Sequence, residues 1–135
     1  RVLDVGPGLG YSAAVIARLA GSVVAVEADP ALAEGARAAL ADTENVTVVE
    51  AGLTAGAPAE GPYDAIAVQG GVETVPQALL DQLAEGGRIA CLFMEGALGS
   101  VRIGTRTAAG VTWRFAFNAA APVLPGFAAQ EAFAL

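Results

Sequence analysis

Short runs of β-branched apolar residues alternate along the chain with longer stretches rich in alanine and leucine. The apolar runs predict strands at 2–5, 23–27, 46–50, 63–68 and 88–93. Helical spacing predicts helices over 11–20, from Pro30 with Asp29 as N-cap to about Ala41, and over about 75–84 before Gly86 and Gly87. Because the strands are apolar on both faces, we expect a doubly wound, Rossmann-like α/β fold with a mostly parallel sheet.

The pattern changes after residue 100. Residues 101–105 and 111–118 alternate as a C-terminal antiparallel strand pair around a turn at 108–110. Trp113, Phe115 and Phe117 are expected on one face of the second strand, as sheet packing or as a binding platform. The tail, 122–135, is broken by proline and glycine and is expected to be irregular. We therefore expect a single domain over residues 1–135.

The composition excludes several classes of protein. The chain is 55% hydrophobic and 16% charged, which is more apolar than an ordinary globular protein and excludes a disordered one. No segment reaches the ~18 consecutive apolar residues of a membrane-spanning helix, so no membrane partner is expected. The net charge of −7 repels phosphate backbones, and nucleic acid is therefore not expected as a partner.

Chemistry based on histidine or paired cysteines is excluded as well. The chain has no histidine, which removes Ser-His-Asp triads and His-bound zinc, and we expect no metal site. Cys91 is the single cysteine, so an internal disulfide is excluded and a small buried core residue is predicted. A lone cysteine is compatible with the cytoplasm, the location that we expect.

The first strand runs straight into Gly6, Gly8 and Gly10 and then into the helix that starts at Tyr11. Glycines at such a turn let the backbone bend tightly and let a ligand lie against main-chain N–H groups. The N–H groups and positive dipole end of a helix start favour an anion. A tight strand–helix turn also uses glycine for steric reasons alone, so the turn by itself leaves both interpretations open.

Glu27 closes the second strand, 21 positions after Gly6. An acid about 20 residues after the first glycine of a βαβ unit reaches ribose hydroxyls; the alternative is a solvated strand end. Together the turn and the acid favour a nucleoside-containing cofactor. The spacing G-x-G-x-G places Tyr11 where the dinucleotide fingerprint G-x-G-x-x-G has a small residue, which disfavours an NAD-linked protein.

Asp4 and the glycines of this turn resemble motif I of class I S-adenosylmethionine-dependent methyltransferases. The resemblance implies S-adenosyl-L-methionine as the cofactor, with Gly6, Gly8 and Gly10 along its methionine part and Glu27 on its ribose. It also places Asp4 near the amino group of the cofactor. A simpler role for an acid at this strand end is to orient the amides of the loop.

A longer set of segments resembles the protein-L-isoaspartate O-methyltransferase family. These segments are VLDVGPGLGYSAAVIARLAGSVVAVEADPALAEGAR at 2–37, PYDAIAV at 62–68, and VPQALLDQL at 75–83 with Gly86-Gly87-Arg88 after it. The resemblance covers most of residues 2–93, with a weaker echo at 122–125. It implies a protein-repair enzyme that methylates the carboxylate of L-isoaspartyl residues in damaged proteins or peptides. Separately from the resemblance, we expect a monomer.

Three features depart from that family. The acid that contacts the adenine amino group in the family aligns with Gly52, beside Leu53, so adenine is expected to be held by apolar packing and backbone or to bind less tightly. The loop after the fourth strand is Gln69-Gly70-Gly71-Val72 in place of threonine and small alanines. The substrate-binding segment of the family precedes motif I, which is where this sequence begins. We therefore expect a truncated chain, and we expect the apolar surface left uncovered to lower its solubility.

Methyl transfer to a carboxylate needs no general base, because a carboxylate with a pKa near ~3.9 is already ionised at neutral pH. Placement in line with the transferred methyl group is then the main task. The candidates for that placement are Gln69, Gly70 and Gly71, as a hinge or as a flexible loop beside the cofactor. Two other hypotheses stay open: a class I methyltransferase with another small acceptor, and a non-catalytic binding or scaffold domain.

Overall fold

A computed structural model describes residues 1–129 of the 135-residue chain. Seven strands and three helices follow one another along it. The strands are β1 Val2–Val5, β2 Val23–Glu27, β3 Val46–Glu50, β4 Tyr63–Val72, β5 Leu83–Glu95, β6 Leu98–Thr107 and β7 Gly110–Asn118. The helices are α1 Tyr11–Ala17, α2 Pro30–Ala39 and α3 Gln77–Leu80, and two short 3₁₀ helices occupy Leu53–Ala55 and Pro58–Glu60.

All seven strands form one sheet in the order β3-β2-β1-β4-β5-β6-β7. Strands β1 to β5 pair in parallel, whereas β5–β6 and β6–β7 are antiparallel. This arrangement confirms the doubly wound fold and its C-terminal antiparallel strands. The strand order reverses between β1 and β4, and in open α/β sheets ligands bind beside the carboxyl ends of the strands at such a reversal.

The two faces of the sheet carry separate apolar clusters. One face packs against α1 and α2 through small residues such as Ala13 and Ala36. The other face packs against Leu53, α3 and the chain after β7, where Phe127 is fully buried. Asp29 caps α2 by accepting from the N–H groups of Ala31 and Leu32 at 2.9 and 3.2 Å, as its position before Pro30 predicts.

The helix predicted over about 75–84 is wrong in extent, because α3 is confined to Gln77–Leu80. The backbone of Gln82 already pairs with the sheet, because its carbonyl accepts from the Tyr63 N–H at 2.8 Å. Leu83 then pairs with Tyr63 in the strand register. The Gln82 side chain is buried and holds the Ala57 N–H at 3.0 Å. Pairing with β4 therefore overrides the helical spacing. The helix predicted over 11–20 likewise stops at Ala17.

The aromatic stripe predicted on one face of β7 is also wrong. Gly104 pairs with Trp113 and Arg102 with Phe115, but a register shift then pairs Val101 with Phe117. Since side chains alternate with a period of two, one extra residue moves Phe117 to the other face. Trp113 packs edge-on against Phe93 with ring centroids 5.0 Å apart, whereas Phe115 and Phe117 are exposed.

Cys91 is buried, as predicted, and burial raises the pKa of its thiol to about 12.

Within residues 1–129, no helix is both long and apolar enough to cross a membrane. The tail is irregular through Ala129 apart from one bridge between Gly71 and Val123. The rest of the predicted irregular tail, 130–135, lies outside the described residues.

Candidate functional site

The glycine-rich turn lies at the carboxyl end of β1, where the strand order reverses. Gly6 and Gly8 have φ values of +80° and +61°, a region that residues with a side chain rarely adopt. A Cβ atom on Gly8 would have no heavy atom within 4 Å, so the turn borders open space there. Gly10, also predicted as a ligand-lining residue, is instead the N-cap of α1 and packs under Leu40.

A cavity of about 540 Å³ opens beside this turn, which is within the usual range of small-molecule sites. Its walls come from the turn, the end of β2, the start of α2, the first 3₁₀ helix and the chain after β7. The lining residues are Gly6, Gly8, Glu27, Ala28, Asp29, Leu32, Leu53, Leu124 and Pro125. The predicted residues Gly6, Gly8, Glu27 and Leu53 therefore meet at one cavity. Gly52, which precedes Leu53 in the chain, does not line this cavity.

Glu27 joins the turn to the end of β2. One carboxylate oxygen accepts from the Gly8 N–H at 3.0 Å, and the other accepts from the Asp29 N–H at 3.1 Å. The side chain is 6% exposed and lines the cavity, which excludes the alternative of a merely solvated strand end. Carboxylate oxygens accept more than one hydrogen bond each, so Glu27 keeps acceptor capacity for a ligand hydroxyl.

Asp4 is fully buried beneath the turn and connects α1 to β4. Its two oxygens accept from Ser12 Oγ at 2.6 Å and from Gln69 Nε2 at 2.9 Å. Burial raises the pKa of the Asp4 carboxyl, and the hydrogen bonds from Ser12 and Gln69 oppose that rise. Asp4 thus orients the Gln69 amide with its nitrogen toward β1 and its oxygen away from Asp4.

Replacing Asp4 with asparagine is expected to leave the fold intact and to change how stability depends on pH. Because the folded pKa of Asp4 is raised, the folded state holds the proton more tightly than the unfolded chain. Its contribution to stability therefore falls as pH rises from below 3.8 through the folded pKa. The amide introduced by Asp4→Asn can still accept from Gln69 and donate to Ser12, so both contacts survive.

The measurement is denaturant unfolding of the wild type and Asp4→Asn between pH 3 and pH 7. We expect the variant to gain stability relative to the wild type as the pH rises across this interval. Ser12→Ala, which removes one partner of Asp4 and leaves the carboxyl, serves as the control that keeps the titration. A stability difference between wild type and Asp4→Asn that is constant across the pH range would contradict the prediction.

Gly70 and Gly71 form neither the predicted hinge nor a flexible loop, because β4 continues through them to Val72. The segment 121–127, which we call the strap, crosses this end of β4. The Gly71 N–H donates to the Pro122 carbonyl and the Leu124 N–H donates to the Gly71 carbonyl, both at 2.8 Å. A Cβ atom on Gly70 would lie 2.5 Å from Leu124 Cγ. These glycines therefore make room for the strap.

The strap supplies the part of the cavity that sequence reasoning missed. Leu124 and Pro125 line the cavity, and a Cβ atom on Gly6 would lie 3.7 Å from Leu124 Cδ1. Phe127 anchors the strap, since its carbonyl accepts from the N–H groups of Glu73 and Thr74 at 2.8 and 3.1 Å. The weaker family resemblance at 122–125 points to this segment, but the local sequence does not predict which strand the segment crosses.

A second cavity, of about 490 Å³, lies where β6 begins and β7 ends. Its walls carry no titratable side chain: they are Ala97, Leu98, Gly99, Asn118, Ala119 and Ala120. Within residues 1–129, no group of three His, Cys, Asp or Glu side chains is placed to hold a metal ion. Glu95 and Arg102 line a smaller neighbouring cavity of about 160 Å³, whereas the predicted site residues Gly6, Gly8, Glu27 and Leu53 meet at the first cavity.

The sequence matches the model of the protein-L-isoaspartate(D-aspartate) O-methyltransferase (PCMT) family over residues 1–95, more than half of the chain. The chain belongs to this family. The match includes the glycine-rich turn, Glu27, Asp4 and Gln69, whereas the strap lies beyond it. The family resemblance seen in the sequence is thereby confirmed.

Curated relatives support this membership. The protein-L-isoaspartate O-methyltransferase of Methanoregula boonei is 48% identical over 91 residues, which are 66% of this chain and 42% of that protein. Protein-L-isoaspartate O-methyltransferase 1 of Syntrophobacter fumaroxidans is 47% identical over the same shares of each chain. The chain thus spans about two fifths of the length of these relatives.

Solved structures of the family have the same fold. A protein-L-isoaspartate O-methyltransferase superposes with a TM-score of 0.86 at 30% identity, over 93% of this chain and 42% of that one. A Plasmodium falciparum beta-aspartate methyltransferase (PCMT), solved in complex with S-adenosyl-L-homocysteine, has a TM-score of 0.75 at 21% identity. It covers 92% of this chain and 65% of that one, and its likeness supports the fold alone.

Proposed function

We propose that the cavity beside Gly6 and Gly8 binds S-adenosylmethionine, and that the protein uses it to methylate the side-chain carboxylate of L-isoaspartyl residues. Family membership supports the reaction. The observation that carries the assignment of the cavity is Glu27, a buried carboxylate at its wall that is held by the turn itself. A carboxylate in this position is suited to accept hydrogen bonds from the two ribose hydroxyls.

The residues present fit this cofactor. The open space at Gly8 lets a ligand approach the backbone of the turn closely. Glu27 would hold the ribose hydroxyls, and the apolar walls from Leu32 and Leu53 would take the base. Asp4 would add negative charge beneath the amino end of the cofactor, with Gln69 fixed beside it. A cofactor with both a cation and a nucleoside matches this distribution of charge and apolar surface.

When bound, the cofactor supplies an electrophilic methyl group on a sulfonium. A carboxylate oxygen of an acceptor aligned beside Gln69 would take this methyl group in a new O–CH₃ bond, and the electron pair of the S–CH₃ bond would stay on sulfur. The products would be a methyl ester and a neutral thioether. This step would transfer no proton, so it needs no general base, and the absence of histidine from the sequence does not argue against it. The protein's task is alignment of the acceptor, for which effective molarities reach ~10⁵–10⁸ M.

Gln69 is the residue that we assign to this alignment. It lies in β4 beside the turn, and Asp4 fixes its Nε2, so its Oε1 stays free to accept from the N–H of an acceptor peptide. Gly70 and Gly71 keep the strap against this strand and thereby fix the wall near Gln69. They act as positioning residues in this proposal.

The test uses two synthetic peptides that differ only in an aspartyl or isoaspartyl linkage, with S-adenosylmethionine labelled in its methyl group. We expect base-labile methyl ester on the isoaspartyl peptide, and Gln69→Ala is expected to raise KM for that peptide about tenfold. Gln77→Ala, which changes an exposed residue of α3, is the matched control. Equal methylation of both peptides would favour another acceptor, and cofactor binding without any transfer would favour a non-catalytic domain.

The remaining expectations belong to the same proposal. We propose a cytoplasmic monomer that acts on proteins or peptides and has no nucleic-acid partner. The net charge of −7 supports this choice of partner, because it repels phosphate backbones. Sedimentation at several protein concentrations tests the monomer, and retention on immobilised RNA or DNA at physiological salt would contradict the choice of partner.

A further inference from the structure

The part of the cavity beyond Glu27 is walled mainly by apolar groups. Ala28 and Leu32 lie on one side, at the end of β2 and in α2, and Leu53 begins the 3₁₀ helix after β3. Leu124 and Pro125 of the strap complete the lining. If the proposed function holds, on which this inference rests, the base of the cofactor lies against these side chains.

Within residues 1–129, only two carboxylates line the cavity, and both already serve the backbone. Glu27 accepts from the N–H groups of Gly8 and Asp29. One oxygen of Asp29 accepts from the N–H groups of Ala31 and Leu32 as the cap of α2. Both stand at the end of β2 and directly before α2, whereas the walls formed by Leu53, Leu124 and Pro125 carry no hydrogen-bonding side chain.

Gly52 lies directly before Leu53, at the exposed end of β3. Its φ and ψ are −57° and 134°, a conformation that any residue adopts. A Cβ atom on Gly52 would meet nothing within 4 Å. The glycine is therefore required neither by the backbone nor by packing, and it adjoins Leu53, which lines the cavity.

We infer that this site recognises the purine of the cofactor by shape and stacking, without a hydrogen-bond acceptor for its 6-amino group, and that Gly52 is the position responsible. Apolar pockets discriminate weakly between ligands that differ by one polar group, whereas a site built to bond an N–H rejects the analogue without it. The site therefore tolerates loss of the 6-amino group.

Calorimetry tests this with two ligands, S-adenosylhomocysteine and its 6-deamino analogue, which carries purine in place of adenine. The analogue keeps N1 as an acceptor and differs only in the missing amino group. For the wild type we expect the two Kd values to agree within about threefold. A wild-type preference of tenfold or more for S-adenosylhomocysteine would overturn the inference, because it would require an acceptor that reads the amine.

Two substitutions at Gly52 provide the converse test. Gly52→Asp adds a carboxylate in open space, and we expect it to favour S-adenosylhomocysteine over the analogue by about tenfold, as a charged hydrogen bond does. Gly52→Leu adds a side chain of similar size without charge and is expected to stay within about threefold. Thermal melts of both variants without ligand check that each is folded.

The outcomes separate this inference from the proposed function. If Gly52→Asp gives no added preference, or Gly52→Leu gives the same preference, the assignment of Gly52 is overturned while cofactor binding stands. If the folded wild type binds neither compound, the proposed function fails and this inference fails with it. Tolerance in the wild type together with a preference gained only by Gly52→Asp supports the inference.

Discussion

Replacing Glu27 with alanine is expected to weaken binding of S-adenosylhomocysteine on the order of 100-fold, since hydrogen bonds to a charged group contribute ~1.5–3 kcal/mol each. The variant loses the proposed acceptor for the ribose hydroxyls. It also leaves the N–H groups of Gly8 and Asp29 without the partner that holds them at 3.0 and 3.1 Å. The expected loss therefore includes the order of the turn. Calorimetric Kd values for both proteins measure it.

Glu50→Ala is the matched control, because Glu50 ends β3 in register with Glu27. It removes the same charge from the adjacent strand, but Glu50 is exposed and does not line the cavity. Its Kd should stay within about threefold of the wild type, because surface charges contribute little. Glu27→Gln is expected to fall between the two. A Kd for Glu27→Ala within threefold of the wild type would contradict the assignment of this cavity.

The parallel half of the fold follows from local sequence signals. Strand β2 covers Val23–Glu27 as predicted, because a run of β-branched residues fits a buried parallel strand and little else. Helix α2 starts at Pro30 because Asp29 and Pro30 together specify a helix start. The positions of Gly6, Gly8 and Glu27 at the cavity follow as well, because a βαβ unit brings the ends of its two strands together.

What the sequence could not predict depends on contacts between distant parts of the chain. The helical spacing around Leu79 and Leu83 is real, but pairing of Leu83 with Tyr63 places the second residue in the sheet. Phe117 is moved to the other face of β7 by one register shift that no local pattern reveals. The sequence predicts Gln69 as a candidate, but it does not show the hydrogen bond to Asp4, 65 residues away, that orients the Gln69 amide.

The strap is the clearest case of such a long-range contact, and it connects stability to the site. Its residues pair with Gly71, whose two backbone hydrogen bonds to Pro122 and Leu124 hold it in place. Leu124 in turn lines the cavity near Gly6. A change that lifts the strap from β4 should therefore affect both the folded state and cofactor binding.

Replacing Gly71 with alanine is expected to lift the strap and to destabilise the protein by about 1–3 kcal/mol, as overpacking of a close-packed site does. The new Cβ atom would lie 2.8 Å from the Ala121 carbonyl oxygen and 3.0 Å from that of Pro122. Backbone atoms cannot yield as a flexible side chain would. Because Leu124 and Pro125 move with the strap, the affinity for S-adenosylhomocysteine should fall at the same time.

Denaturant unfolding and calorimetry on Gly71→Ala measure the two effects, and Gly52→Ala is the control for the change from glycine to alanine. Gly52 has no heavy atom within 4 Å of its Cβ position, so alanine there should alter stability by no more than about 0.5 kcal/mol. Equal stability of Gly71→Ala and Gly52→Ala would show that the strap does not pack on β4 as described. A destabilised Gly71→Ala with unchanged affinity would instead separate the strap from the cofactor cavity, because the wall formed by Leu124 would then be dispensable for binding.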